Sequence, residues 1–267
     1  MTVKRGNPDL RTGVILALFI GGITVAGIFF LPYDYNAMDS ERRFQAPGTS
    51  HFMGTDNFGR DVFSRIMAGA KYTLLTALLT VAGSAAAGTA LGLFGAFVGG
   101  IWDDITMRFM DTLSSFPGIL LALVMVSLMD NSPGTLVIAL LILFIPGFTR
   151  IMRNGMLQYK NREFVLAARI AGISSPRIIF VHIFPNLLNP LLSASVLGFS
   201  NAILAESTMS YLGLGIQPPI PSWGRMLSES QPFLLNAPWC ALAPGIMIML
   251  TVLTFHYLGE GLAAKTR

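Results

Sequence analysis

Long uncharged stretches alternate with short polar segments along this chain of 267 residues. About 20 consecutive apolar residues are needed to cross the roughly 30 Å hydrocarbon core of a bilayer as a helix. Six stretches approach or exceed that length without Asp, Glu, Lys or Arg: 13–31, 72–102, 112–129, 131–149, 178–205 and 230–259. The pattern therefore predicts an all-α membrane protein with six transmembrane helices.

Composition agrees with this prediction. The chain is 53% hydrophobic and 12% charged, against about 25% charged residues in soluble domains. The first stretch, 13–31, is longer than the roughly 7 to 15 apolar residues of a signal peptide, and no small-residue cleavage site follows it, so we expect a retained anchor. The single cysteine, Cys240, excludes an internal disulfide and a cysteine-rich metal site.

Basic residues predict the orientation of the helices. With the amino terminus inside, 12 of the 18 Lys and Arg residues fall in the predicted cytoplasmic segments, among them Lys4, Arg5 and Arg267, and six fall outside. Cytoplasmic loops are enriched in Lys and Arg. We therefore expect both termini to be cytoplasmic.

Three regions follow from these predictions. Residues 1–31 form an amino-terminal tail and first anchor, and residues 32–71 form an extracytoplasmic loop and a juxtamembrane helix. Residues 72–267 form the transmembrane core, which includes a cytoplasmic loop at 155–186. Small residues cluster at 83–88 and 92–100, where they would let helix backbones approach closely.

The sequence shows no catalytic or metal-binding pattern. It lacks a GxxxxGK[ST] phosphate-binding loop and an HExxH motif, and its three histidines are scattered without the spacing of metal ligands. We expect each histidine to be an interfacial or packed residue. The chain is therefore predicted to be no enzyme, to have no catalytic or metal site and to bind no cofactor itself.

A basic, small-residue segment at 162–186 interrupts the apolar pattern. Asn161 can cap a helix that carries Glu163 in its first turn, and Gly172 suits the left-handed position that ends such a helix. A second short helix would begin near Pro176 and end at Pro185. The expected shape is a helix, a tight turn and a second helix.

Three interpretations fit that shape. A DNA-binding helix-turn-helix is disfavoured, because the second helix would offer almost no side chain that reads base edges. An amphipathic helix on anionic lipid is compatible with Arg162, Arg169 and Arg177. A short helix with a shallow alanine face could instead insert into a groove of a soluble partner. Residue spacing alone leaves the last two open.

Two further features belong to the end of the fifth apolar stretch. Glu206 is an acid near the end of a predicted span, where it is either a pathway or gate residue or a packed residue. Several prolines follow, so residues 217–238 cannot form a continuous helix and are expected to fold back against the mouth of the bundle. Trp223 and Trp239 are expected to be interfacial anchors.

Three blocks of sequence resemble the peptide and nickel branch of the ABC importer permeases. EFVLAARIAG at 163–172, followed by IFP at 183–185, is similar to the EAA loop of these proteins. GTDNFGRDVFSR at 54–65 resembles the GTDxxGRDxxSR signature of the C-type subunits, and its Asp61 and Arg65 are spaced for an i,i+4 ion pair. The segment at 202–224, with its YLGLG and proline cluster, resembles the same subunits.

The resemblance implies a type I ABC importer permease of the MetI-like fold in a prokaryotic cytoplasmic (inner) membrane. It implies a related second permease, two cytoplasmic ATPases that bind ATP and Mg²⁺, an extracytoplasmic binding protein, contact with lipid, and no nucleic acid. ATP-driven closure of the ATPases would switch the pore between outward and inward access. The residues expected to couple the two events are Arg162, Glu163, Ala167, Ala168, Arg169, Gly172 and Pro185.

The resemblance favours di- and oligopeptides as substrates, with nickel, metal chelates or opines as alternatives. Two other classes of protein stay open on the residues alone. A gradient-driven secondary transporter would use an intramembrane acid such as Glu206. A membrane-anchored regulator would use residues 162–186 to bind DNA.

Overall fold

The computed structural model describes residues 8–129 and 132–265, and these residues are nearly all helical. Lys4, Arg5, Asn131 and Arg267, which entered the predictions above, lie outside the described residues. The α-helices are α1 (Pro8–Phe29), α2 (Val62–Val98), α3 (Gly100–Ser115), α4 (Gly118–Leu128), α5 (Pro133–Tyr159), α6 (Glu163–Ile170), α7 (Ser175–Arg177), α8 (Phe184–Tyr211), α9 (Trp223–Ser230) and α10 (Trp239–Lys265).

Five helical segments are long and apolar enough to cross a membrane, and there are six if α3 and α4 together count as one bent span. The unbent five are Leu10–Phe29, Val62–Val98, Pro133–Tyr159, Ser175–Tyr211 and Trp239–Ala263. Helix α2 has 37 residues, about 55 Å at the usual rise per residue. It therefore extends well beyond the hydrocarbon core, and the predicted juxtamembrane helix is its first part.

The third predicted span, 112–129, is not one straight helix. Helices α3 and α4 meet at an angle of 91°, and Phe116, between them, has an extended backbone with φ −78° and ψ 136°. A residue before proline is pushed out of the helical region, and Pro117 follows Phe116. Helix α4 alone has 11 residues, about 16 Å, which is too short to span a bilayer.

The second helix of the predicted helix-turn-helix also differs from expectation, because it does not end at Pro185. Helix α7 continues through a π-helical segment, Ile178–Ile183, into α8. Pro185 lies in the first turn of α8, where a proline removes no hydrogen bond of that helix. The segment after Gly172 is thus the beginning of a span.

A small residue of α2, Gly88, lets the backbone of α2 lie close to α5. A Cβ atom placed on Gly88 would lie 2.6 Å from the Cβ atom of Phe148 and 2.8 Å from the backbone nitrogen of Thr149. Such an approach requires a glycine. The packing role predicted for these small residues is confirmed at this crossing, which fixes the ends of α2 and α5 relative to each other.

Candidate functional site

Helix α6 begins at Glu163, with Arg162 at the N-cap position. The expected cap, Asn161, is one residue too early, and the Arg162 side chain makes no capping hydrogen bond. Glu163 does lie in the first turn, as predicted, where its carboxylate is near the positive end of the helix dipole.

Gly172 ends α6 in the way the sequence predicts. Its φ is +75°, and its backbone N–H donates to the carbonyl of Arg169 at 3.0 Å. The N–H of Ile173 donates to the carbonyl of Ala168 at 3.1 Å, which completes a Schellman motif. Glycine fits this left-handed position at no steric cost, so the turn between α6 and α7 is sharp and defined.

The two faces of α6 have different surroundings. Val165 and Ala168, three residues apart, are buried against the bundle. Glu163, Ala167 and Ile170 are exposed on the other side, at the spacing of one helix face. Sequence analysis grouped Ala167 with Ala168, but the structure separates them: Ala168 helps to seat α6, and Ala167 lies on its open surface.

The open surface of α6 includes apolar residues that are not among the predicted coupling residues. Ile170 is 88% exposed, and Phe164 and Leu166 are also exposed. An isoleucine seven residues after Glu163 was the available signal, since it falls on the face of Glu163 and Ala167. The other predicted coupling residues, Arg162, Arg169, Gly172 and Pro185, are exposed as well.

The seat of α6 is a buried cluster made by the ends of three long helices. Val165 and Ala168 pack with residues of α2, α5, the π-helical segment and α8, namely Leu93, Ala96, Met152, Met156, Ile178, Ile183 and Leu187. A displacement of α6 would therefore push on α2, α5 and α8 together. An open cavity of about 790 Å³ lies beside the start of α6, lined by Tyr159, Asn161, Arg162, Glu163 and Phe164.

Polar contacts reinforce this end of the bundle. Arg153 of α5 binds Asp103 of α3 through two hydrogen bonds of 2.7 Å. The Lys160 ammonium donates to the carbonyl of Ala96 at 3.2 Å. These contacts join α2, α3 and α5 at the end where α6 is seated.

At the opposite end, two irregular segments, 32–61 and 212–238, form what we call the cap. Residues 217–238 fold back as predicted, but they contain α9, and Trp223 at its start is fully buried rather than interfacial. The Trp223 indole nitrogen donates to the carbonyl of Ile66 at 3.0 Å. Trp239, only partly buried, donates to the carbonyl of Thr55 at 3.2 Å.

An ion cluster joins the two cap segments to α2. The Arg65 guanidinium binds Glu229 of α9 at 3.1 Å and lies 3.7 Å from Asp56. Asp61, its expected i,i+4 partner, instead caps α2 by accepting from the N–H of Ser64 and lies 2.8 Å from His51 Nδ1. His51 is buried, as expected for a packed histidine.

Glu206 lies beneath the cap and is fully buried. Its carboxylate accepts a hydrogen bond of 2.7 Å from the Ser210 hydroxyl and one of 3.4 Å from the Ser207 hydroxyl. The hydroxyls of Thr73 on α2 and Ser222 at the start of α9 also lie near it. The carboxylate therefore lies where α8, α2 and the cap meet.

These features define a class: a polytopic membrane subunit that presents a short, firmly seated helix at one end of its bundle and a folded cap at the other. The family described as "Binding-protein-dependent transport system inner membrane component" matches residues 88–267. The chain belongs to this family. It is the permease subunit of an ABC importer, an inner-membrane transport component and no enzyme, and such permeases work with ATPase and substrate-binding partners.

Similar sequences cover nearly the whole chain. The dipeptide transport system permease protein DppC of Alkalihalophilus pseudofirmus is 41% identical over 228 residues, which are 85% of this chain and 75% of that protein. The glutathione transport system permease protein GsiD of Escherichia coli is 38% identical over 250 residues, 92% of this chain and 82% of that protein.

A solved structure shares the fold. The MetNI methionine ABC transporter in an inward-facing conformation matches with a TM-score of 0.62 and 16% identity, over 74% of this chain and 95% of that chain. The MetI-like permease fold expected from the sequence is thus confirmed.

Proposed function

We propose that this permease moves di- or oligopeptides across the inner membrane. The support is the similarity to the dipeptide permease DppC and the glutathione permease GsiD, since glutathione is itself a small peptide. Nickel, metal chelates and opines are the alternative cargoes, and no group of three or more His, Cys, Asp or Glu side chains suited to a metal ion occurs among the described residues.

The proposed assembly is a heterodimer with a related permease, two cytoplasmic ATPases and one extracytoplasmic binding protein. In this assembly ATP and Mg²⁺ would bind to the ATPases and not to the present chain. Closure of the ATPases would move α6 of this chain and its counterpart in the second permease, which would switch access to the pore.

Helix α6 is the proposed coupling element, and one observation carries this role: its inner face is packed while its outer face is apolar and open. Val165 and Ala168 are buried in the seat, so force on the helix passes to the bundle. Ala167 and Ile170 present a small and a large apolar contact to a groove, as in helix-in-groove recognition. Arg162 and Arg169 flank this surface, and the rigid turn at Gly172 leads to the span that carries Pro185.

A cross-linking experiment tests the coupling role. Ile170→Cys is paired with single cysteines placed along the groove of the ATPase subunit, in a Cys240→Ala background. We expect a cross-link that depends on the nucleotide bound to the ATPases. The matched control, Phe52→Cys, is exposed in the cap and should not react with any ATPase cysteine; equal labelling at both positions would contradict the proposal.

Cargo is tested with the purified importer in lipid nanodiscs. We expect its binding protein, loaded with a di- or oligopeptide, to stimulate ATP hydrolysis, and the same protein without peptide to stimulate little. Stimulation by a nickel complex or an opine but not by peptides would replace the peptide proposal and leave the importer proposal in place.

For Glu206 we propose a packing role and not a pathway role. Its carboxylate is enclosed by hydroxyls of this chain, so the side chain does not reach a surface that another subunit or a translocating solute could touch. A gradient-driven secondary transporter would need this acid to exchange with solvent.

A further inference from the structure

Three guanidinium groups converge on one carboxylate in the cap. Glu229 Oε2 accepts hydrogen bonds from Arg60 at 2.9 Å and Arg65 at 3.1 Å, and Glu229 Oε1 accepts one from Arg225 at 3.3 Å. Asp56 is the second acid of the cluster, 2.6 Å from Arg60. Three arginines against two acids leave one excess positive charge.

Arg225 is the member of this cluster that is open to a ligand. The side chains of Arg60 and Arg65 are only 4% and 3% exposed, whereas that of Arg225 is 24% exposed. Arg225 meets Glu229 through Nε, and among the described residues no hydrogen bond within 3.5 Å reaches its two terminal nitrogens. A guanidinium uses such a pair of N–H groups to hold a carboxylate with two parallel hydrogen bonds.

Arg225 borders an open cavity of about 650 Å³. Its lining includes Arg60 and Arg225, together with Asn36, Met38 and Phe58. Met38 and Phe58 are exposed on a segment outside every helix long enough to span a membrane. An arginine surrounded by exposed apolar side chains is typical of protein contact sites.

We propose that this cavity receives a carboxylate side chain of the substrate-binding protein, held by the terminal nitrogens of Arg225. The inference rests on the proposed importer function and names the contact through which the partner docks. The excess positive charge attracts an acid, and the cap lies at the end of α2 away from the seat of α6. The cavity is lined by cap residues and not by the sides of the spanning helices, where a second permease or lipid would pack.

The test measures the affinity of the peptide-loaded binding protein for the complete importer in nanodiscs. Arg225→Glu should weaken binding about tenfold or more, because it places like charges together. The affinity of the Arg225→Lys importer should lie between those of the wild type and the Arg225→Glu importer. The matched control is Arg43→Glu, at an exposed arginine in the other cap segment, 32–61. It makes the same change in charge and should alter the affinity less than about threefold.

Charge exchange identifies the partner residue. With Arg225→Glu in place, an Asp→Arg or Glu→Arg change in the binding protein should restore most of the lost affinity. An unchanged affinity in the Arg225→Glu importer would overturn the inference. A variant in which only the KM for transported peptide rises would overturn it in favour of a substrate carboxylate, and loss of pairing between the two permeases by both Arg225→Glu and Arg225→Gln would overturn it in favour of a subunit interface.

These outcomes are separate from the proposed function. If the wild-type importer responds to its binding protein but Arg225→Glu has no effect, only the docking inference fails. If no binding protein stimulates ATP hydrolysis by the wild-type importer, the proposed function itself fails.

Discussion

Arg153 and Asp103 form two parallel hydrogen bonds of 2.7 Å that join α5 to α3. Both side chains are largely shielded, with 27% and 13% exposure. A second pair between the same two helices, Arg150 and Asp111, has one hydrogen bond between its partners at 2.9 Å and is exposed, at 40% and 66%. Within one interface, the two pairs therefore allow a shielded ion pair with two hydrogen bonds to be compared with an exposed ion pair with one.

We expect the shielded pair to contribute more to stability. A double-mutant cycle with Asp103→Asn and Arg153→Gln should give a coupling free energy of about 1 to 3 kcal/mol, as for hydrogen bonds to charged groups. The same cycle on Asp111 and Arg150 should give less than about 1 kcal/mol. The measurement is the free energy of unfolding in mixed detergent micelles. Equal coupling in both cycles would show that the shielding of Arg153 and Asp103 has no energetic consequence.

Ala167 and Ala168 should respond differently to the same substitution. Ala168→Leu places a larger side chain in the packed seat, which typically costs about 1 to 3 kcal/mol, so we expect a lower free energy of unfolding. Ala167→Leu changes an exposed position and should leave stability within about 0.5 kcal/mol. On the proposed coupling role it should nevertheless weaken copurification of the ATPases. Normal ATPase binding and transport by the Ala167→Leu importer would remove Ala167 from the coupling surface.

Local features of this fold could be predicted from the sequence. Apolar runs of about 20 residues indicate spans directly, and the left-handed turn at Gly172 follows from the residue type at the end of α6. The break at Phe116 was missed because the length of an uncharged stretch does not indicate whether the helix that contains it is straight or bent. Pro117 was the available sign, since a proline disfavours helix at the preceding residue.

Contacts between distant segments could not be predicted in the same way. Arg65 was expected to pair with Asp61, four residues earlier, but its partner is Glu229, 164 residues away. Trp223 was expected at the membrane surface, but it donates to the carbonyl of Ile66, 157 residues away. Both depend on how the cap folds onto α2, and no local pattern encodes that arrangement.

Gly172 allows a test of the turn itself. A Cβ at this position would meet no atom within 4 Å beyond its chain neighbours, so there is open space for a side chain. The cost of Gly172→Val is the left-handed backbone, about 1 to 2 kcal/mol for a residue with a side chain, which the turn can relieve by shifting α6. We expect membrane insertion to persist and peptide transport to be lost, as measured in membrane vesicles.

Gly99→Val is the matched control for this prediction. Gly99 has φ +72° and open surroundings, and its ψ of −167° lies in a region that almost only glycine adopts, so a valine there is strained at least as much. It lies between α2 and α3, outside α6 and the turn that follows α6. The control should insert and retain binding of the ATPases. Normal transport by the Gly172→Val importer would contradict the coupling role of this turn.

Glu206→Gln and Glu206→Leu separate packing from pathway roles. Glutamine keeps a carbonyl oxygen that can accept from Ser210, so a packing role predicts transport close to that of the wild type. Leucine removes every acceptor and leaves buried hydroxyls unpaired, at about 1 to 3 kcal/mol for each group; we expect a lower free energy of unfolding and reduced transport. The measurements are unfolding in detergent micelles and peptide uptake into proteoliposomes with the assembled importer. A stable Glu206→Gln protein without transport would instead show that the ionisable acid itself is needed, as in a gradient-driven transporter.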